Sequence, residues 1–161
     1  MTANIVLNAE TSVHIHAHKN LCWSELSALQ FYPGWNSRTH FHCKAVVGKR
    51  LTMTVKLFSF WLKVPVTIEH VDADRGLRWT GGLRGLFTGS HYFSLQCHGD
   101  GTTTLVQGED FDGVLVRFLW PILHKELKGL YQGFNQEFKQ RCETNNNGLI
   151  NTPSVPDTPY R

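Results

Sequence analysis

The 161-residue sequence has no CxxC pair among its four cysteines, Cys22, Cys43, Cys97 and Cys142, which excludes a zinc knuckle or a CxxC redox motif. It has no run of five like charges. Sixteen Lys and Arg against thirteen Asp and Glu leave +3 with His neutral, so nucleic acid is not an expected partner. No apolar run reaches the ~18 residues that span a bilayer, and the first ~20 residues lack the basic, apolar and small-residue series of a signal peptide. A cytoplasmic protein with reduced thiols is expected. No GxSxG, P-loop or dinucleotide fingerprint occurs, so no cofactor and no metal centre are expected.

What is present in excess is aromatic. Ten Phe, five Trp and four Tyr make up 12% of a chain that is 41% hydrophobic. A chain of about this length forms one domain and buries roughly 70% of the surface its unfolded form exposes. These aromatics exceed the needs of a minimal core and suit the walls of a cavity.

Residues 12 to 18, Ser-Val-His-Ile-His-Ala-His, alternate with period two, which predicts a strand with Val13, Ile15 and Ala17 inward. Asn20 then caps a short helix to about Gln30, broken by Phe31-Tyr32-Pro33-Gly34. Strand-like stretches follow at roughly 37 to 44, 49 to 57, 64 to 71, 76 to 82, 87 to 97 and 103 to 112, separated by short Gly- and Asp-containing turns. Such short separators favour an antiparallel meander. After Gly113, Leu115, Phe118, Leu119, Ile122, Leu123, Leu127, Leu130, Phe134 and Phe138 recur every three or four residues, the stripe of a long amphipathic helix from about Val116 to Cys142. Pro121 suits its first turn and kinks it elsewhere. Residues 1–143 read as one domain, and the polar, Pro-containing residues 144–161 as a mobile tail.

Along this order lie Trp23-Ser24-Glu25-Leu26, Tyr32-Pro33-Gly34-Trp35-Asn36, Gly48 before a strand, Leu77-Arg78-Trp79-Thr80-Gly81, Gly89-Ser90-His91-Tyr92-Phe93, Gly108-Glu109-Asp110-Phe111-Asp112-Gly113, and Phe134-Asn135 with Phe138-Lys139-Gln140-Arg141. Over residues 10 to 143 the series resembles the helix-grip superfamily (SRPBCC), which includes START lipid-transfer domains, the major pollen allergens and polyketide cyclase/dehydrase-like proteins. Two departures stand out: the usual Trp-Asn-Pro reads Trp35-Asn36-Ser37, and the last helix has Phe138-Lys139 where Leu-Lys is more common. The resemblance implies an α+β fold, a seven-stranded curved antiparallel sheet wrapped around a long C-terminal helix with two short helices after the first strand. It also implies a hydrophobic cavity between sheet and helix.

The sharpest local inference comes from the hairpin at Gly99-Asp100-Gly101. If Cys97 opposes Thr103, then Leu95 opposes Leu105, Phe93 opposes Gln107 and His91 opposes Glu109, all on one face. Facing the cavity, His91 and Glu109 would form an acid/base pair for enolisation, cyclisation or dehydration, or would serve as polar anchors or a structural pair. Trp35, Met53, Trp79, Phe93, Gln107, Phe111, Phe118 and Phe134 are the other candidate ligand contacts. Phe58, Phe60 and Trp61, in a stretch that breaks alternation, would gate the cavity or touch a membrane transiently, or else fold onto the core or into a dimer interface. His14, His16 and His18 share one outer face and His40 and His42 another, read as solvated surfaces without a metal. Gly81-Gly82 and Gly108 read as twist or bulge positions. The expected function is binding of a small hydrophobic molecule, a lipid, polyketide or aromatic metabolite. The alternatives are a polyketide cyclase/dehydratase-like enzyme and a protein-partner module.

Overall fold

A computed structural model of the chain describes residues 7–150. The chain runs β1 (Leu7–Ile15), α1 (Lys19–Ser27), a 3-10 helix (Leu29–Gly34), β2 (Thr39–His40), β3 (Arg50–Leu57), β4 (Phe60–Asp72), β5 (Gly76–Leu83), β6 (Phe87–Cys97), β7 (Thr103–Asp112) and α2 (Val114–Ile150). The strands form one antiparallel sheet in the order β1-β7-β6-β5-β4-β3-β2. α2 lies on the face that carries the buried alternate residues. This is the helix-grip fold, α+β, with two short helical turns after the first strand.

Alternation explains the inward face. Leu77 and Trp79 on β5, His91, Phe93 and Leu95 on β6, and Leu105, Gln107 and Phe111 on β7 are all buried. α2 answers with Val116, Leu123, Leu127, Leu130, Tyr131, Phe134, Phe138 and Cys142. Fully burying one such Phe or Leu contributes about 1.5–3 kcal/mol. A buried polar pin fixes the register of helix on sheet: the Gln107 side-chain amide donates to the Tyr131 carbonyl and to Asn135 Oδ1, and Asn135 Nδ2 donates to Thr11 on β1.

Several expectations need correction. The 37 to 44 strand contracts to Thr39–His40, because the Asn36 side chain accepts from the backbone N–H groups of Arg38 and Thr39 and turns the chain there. β1 ends at Ile15, so His16 and His18 lie beyond it. α1 begins before Asn20, with His18 at the cap position and no side-chain cap bond. Phe31-Tyr32-Pro33-Gly34 does not simply break the helix but lies within a 3-10 turn that carries the chain to Trp35. Of the two readings of Gly81-Gly82 the bulge is corrected, since both residues pair without a register shift and the irregularity falls between Ile68 and His70, while Gly82 keeps a positive φ of 105°. Gly108 also pairs regularly and serves a close approach instead: a Cβ there would meet Tyr92 Oη at 2.4 Å.

α2 begins at Val114, so Pro121 lies two turns in and the Arg117 carbonyl loses its usual backbone donor. The helix also continues past Cys142 to Ile150. Residues 144–150, read as tail, are helical because the Asn145 side chain donates to Glu25 on α1 and Asn146 to the His16 carbonyl, beside an Arg141–Glu25 ion pair. Residues 151–161 lie outside the described residues. Where α1 meets α2, Cys22 and Cys142 are buried together, and the hydrogen bond to Cys22 together with burial pushes the Cys142 thiol well above its ordinary range.

Candidate functional site

Sheet and helix do not close on each other completely. Between them lies a cavity of about 200 Å³. Its walls come from β3 and β4 (Met53, Val55, Leu57, Leu62, Val64), from β5 (Trp79), from β6 and β7 (Phe87, Phe93, Phe111), and from α2 (Leu123, Leu127, Leu130, Phe134). Thr39, Gln107, His91, Glu109 and Tyr131 supply the polar atoms.

The β6–β7 pairing matches the register expected from the turn: His91 opposes Glu109, Phe93 opposes Gln107 and Leu95 opposes Leu105. His91 is buried at 6% exposure and stacks on Trp79, ring centroids 5.0 Å apart and planes 9° apart. Its Nδ1 lies 3.5 Å from Glu109 Oε2. The same carboxylate oxygen accepts a short hydrogen bond from the Tyr131 hydroxyl. Burial first, and then the charge of Glu109, push the Tyr131 phenol well above its ordinary value, so it stays protonated as a donor. Two positions remain open. His91 Nε2 is buried with no hydrogen-bond partner. Glu109 Oε1 carries no hydrogen bond from the described residues, since both donors go to Oε2.

Of the ten candidate ligand contacts, the structure brings Met53, Trp79, His91, Phe93, Gln107, Glu109, Phe111 and Phe134 to the cavity wall. Gln107 is there with its amide already committed to α2. Trp35 is elsewhere: the 3-10 helix sets it over the C-terminal half of α2, 4.8 Å from Tyr32 and 5.7 Å from Phe138. Phe118 is elsewhere too, 82% exposed on the outside of α2. The inward stripe at that end is Val116, Trp120 and Leu123, which leaves Leu115, Phe118, Leu119 and Ile122 facing out. Sequence reasoning missed Tyr131. The available signal was its position: four residues after Leu127 and four before Asn135, it shares the stripe that packs on the sheet.

The β3–β4 hairpin borders the cavity through Leu57 and Leu62, and Leu62 also reaches the surface. Phe58 and Ser59 at its tip both take left-handed backbone (φ 48° and 70°), a two-residue turn built without glycine. Glu126 of α2 ties the tip down: it accepts from the Phe58 N–H at 3.0 Å and pairs with Arg38, which itself donates to the Lys56 carbonyl. The Phe58 N–H holds the Glu126 carboxyl below its ordinary value, with Arg38 adding to the effect. Phe58, Phe60 and Trp61 are exposed rather than folded onto the core.

The histidine faces hold no metal arrangement. His14 lies 5.1 Å from His16 and 5.5 Å from His98 ring to ring, and His40, bonded to the Asn36 carbonyl, sits by Trp61 while His42 lies outside the strand. Among the described residues no group of three or more His, Cys, Asp or Glu is placed to hold a metal ion. No helix among them is long and apolar enough to cross a membrane.

No protein-family model matches the sequence, and no curated protein matches it. Solved structures do. The chain is similar to a START superfamily protein from Mycobacterium smegmatis, at 15% identity and TM-score 0.68 over 85% of this chain and 97% of that one. It is similar to the Zhui aromatase/cyclase from Streptomyces sp. R1128, at 13% identity and TM-score 0.71 over 86% and 94%. It is similar to norcoclaurine synthase from Thalictrum flavum in complex with dopamine and hydroxybenzaldehyde, at 10% identity and TM-score 0.68 over 94% and 91%. At these identities the likeness is one of fold.

Proposed function

We propose that the protein binds a small hydrophobic molecule in the cavity between the sheet and α2. One observation carries this: a folded core that could have closed instead keeps a cavity of about 200 Å³ walled by aromatic and aliphatic side chains, with four of its five polar side chains, His91, Gln107, Glu109 and Tyr131, gathered on the β6, β7 and α2 side. The solved structures of similar fold include an aromatase/cyclase and a synthase holding dopamine and hydroxybenzaldehyde, which supports a ligand with a ring. The four unpaired cysteines suit a reducing compartment, and we place the protein in the cytoplasm on that ground. The test is fluorescence of an environment-sensitive apolar dye, with native mass spectrometry of the purified protein. A blue-shifted, enhanced signal displaced by the co-purified compound is expected. An unchanged dye spectrum together with no bound mass would overturn the reading.

A second reading, catalysis of a cyclisation or dehydration, is favoured by the His91–Glu109–Tyr131 arrangement, a base candidate with an orienting carboxylate. On this reading His91→Ala abolishes turnover of a bound ligand while its affinity stays within about tenfold; parallel loss of both leaves His91 an anchor.

The cavity mouth also bears on partners. Beside the hairpin tip with Phe58, Phe60 and Trp61, the β5–β6 turn exposes Leu83 and Leu86, and the start of α2 exposes Phe118, Leu119 and Ile122. Backbone hydrogen bonds from Val114 to Gly85 and from Leu115 to Leu86 hold the last two together. These segments carry Lys56, Lys63, Arg84 and Arg117 and no acidic residue. An apolar rim whose three segments carry four basic side chains, against Glu126 bound at the hairpin tip and exposed Asp112 beside the β5–β6 turn, fits transient contact with an anionic bilayer surface. Co-sedimentation with phosphatidylcholine vesicles containing phosphatidylserine should exceed that with phosphatidylcholine alone and fall for Trp61→Ser with Phe118→Ser. No binding by the unmodified protein ends this part of the proposal.

A further inference from the structure

The size of the cavity and the polarity of its open atoms together narrow the ligand. An engineered cavity of about 150 Å³ takes a benzene molecule. A cavity of about 200 Å³ therefore holds one ring with short substituents, while a four-ring polyketide exceeds it and a diacyl lipid does so several-fold. The polar groups on the β6–β7 side are already partly spent. The Gln107 amide protons go to the Tyr131 carbonyl and Asn135, and the Tyr131 hydroxyl proton goes to Glu109 Oε2.

What remains open is Glu109 Oε1 and His91 Nε2, the latter buried without a partner in a residue 6% exposed. Glu109 Oε2 already receives a hydrogen bond and, as a carboxylate oxygen, can only accept. His91 Nδ1, 3.5 Å away, is then the ring nitrogen that donates, which in the tautomer carrying one proton leaves the Nε2 lone pair as an acceptor. Both open atoms are acceptors. A ligand with only an acceptor there, an ether or an ester oxygen, would leave all of them unsatisfied in a carbon-walled space.

Resting on the ligand-binding reading above, we infer that the cavity takes a single-ring apolar molecule whose polar end is a hydrogen-bond donor, a hydroxyl or a protonated amine, received by Glu109 and His91. The Trp79 ring stacked on His91, the tilted Phe93 ring and the edge-on Tyr131 ring hold the imidazole in place for this.

Isothermal titration of the unmodified protein with 4-ethylphenol, 4-ethylbenzylamine and 4-ethylanisole tests the inference. These three share a ring and differ at one end: hydroxyl, ammonium and methyl ether. A hydrogen bond to a charged acceptor predicts that at least one donor binds about tenfold or more tighter than the ether, and the tighter donor identifies the head group. In Glu109→Gln, whose amide can offer N–H groups to the ligand, this advantage is expected to collapse to about threefold or less. An advantage below tenfold in the unmodified protein overturns the donor inference and leaves ligand binding standing. No binding of any of the three at millimolar concentration overturns both. The unmodified protein alone decides, so a variant that fails to fold does not protect the inference.

Discussion

Gly89→Ala is the most discriminating single substitution in this molecule. Gly89 sits on β6 opposite Phe111, two residues from His91 and on the same face. A Cβ built there meets Glu109 Oε1 at 2.1 Å, Glu109 Cδ at 3.1 Å and Phe111 Cε1 at 3.3 Å. The first contact is more than 1 Å too short, so the carboxylate must swing away. Its flexible end lets it do so without moving the backbone, and Gly89 has no positive φ to strain an alanine. His91 Nδ1 already stands at 3.5 Å from Oε2, so this movement takes the pair beyond hydrogen-bond reach. It also breaks the Tyr131 hydrogen bond to Glu109. Loss of a hydrogen bond to a charged group costs about 1.5–3 kcal/mol, and replacing Gly by Ala returns about 0.4–1 kcal/mol through the unfolded chain. The net is a loss of about 1–2 kcal/mol, which for a domain of this length lowers the melting temperature by roughly 2–8 °C. The assay pairs thermal denaturation by circular dichroism with the titrations of 4-ethylphenol and 4-ethylanisole. The expected result is a folded protein, slightly less stable, that has lost its preference for the donor. An unchanged melting temperature with an unchanged preference would refute the placement of the Glu109 carboxylate beside Gly89, and with it the role given to that carboxylate.

Three further outcomes follow from the same geometry. Glu126 holds the hairpin tip as an anion whose folded value is depressed, so its stabilisation is complete above the ordinary carboxylate value near ~4.3 and is lost as pH falls through the depressed one. The stability difference between the unmodified protein and Glu126→Gln, about 1 kcal/mol for this partly exposed pair, should be flat from pH ~5 to ~8 in urea titrations and shrink below pH ~4; a difference that grows on acidification refutes the linkage. Gln107→Leu leaves buried Asn135 Oδ1 without its donor and should cost about 2–3 kcal/mol by chemical denaturation. Adding Asn135→Leu should cost less than the sum of the two single changes, and strict additivity would deny their coupling. Phe118→Ser, at a position 82% exposed, should shift stability by no more than about 0.5 kcal/mol in the same assay.

The parts of this fold legible in the sequence are those that local rules over-determine. β6 and β7 are joined by Gly99-Asp100-Gly101 and alternate cleanly, so the turn sets the register and the register carries His91 opposite Glu109. The start of α2 was not legible in the same way. Leu115, Phe118, Leu119 and Ile122 recur with helical spacing, but periodicity cannot say where the sheet beneath the helix gives out, and there the packed face is Val116, Trp120 and Leu123 instead. β2 shrank because a side chain, Asn36, captured the backbone N–H groups a longer strand would have used. Tyr131 escaped because a tyrosine in an apolar stripe reads as core. The inward stripe's Tyr131 and Asn135 need partners on the sheet, and Gln107 and Glu109 on β7 are the ones they take.

The two ends of the site answer to different molecules. His91 stands four residues along β6 from Phe87, roughly 13 Å at the rise of a strand, and Phe87 is the cavity residue that adjoins the Leu86 turn of the rim. A single-ring ligand received by His91 and Glu109 is shorter than that distance, so its tail ends inside the cavity and cannot cover Phe118, Ile122 or Phe60. Those side chains therefore owe their exposure to something other than the ligand. The Glu126 tie across the hairpin tip fits the same division, because a mouth can be held shut over a molecule that does not protrude from it. It follows that vesicle binding and donor selectivity should vary independently: Trp61→Ser with Phe118→Ser should abolish the first and leave the ratio of 4-ethylphenol to 4-ethylanisole affinity unchanged, whereas Glu109→Gln should do the reverse. Joint loss of both properties in either variant would mean that the rim and the polar pair serve one longer ligand, and the size argument would fall with it.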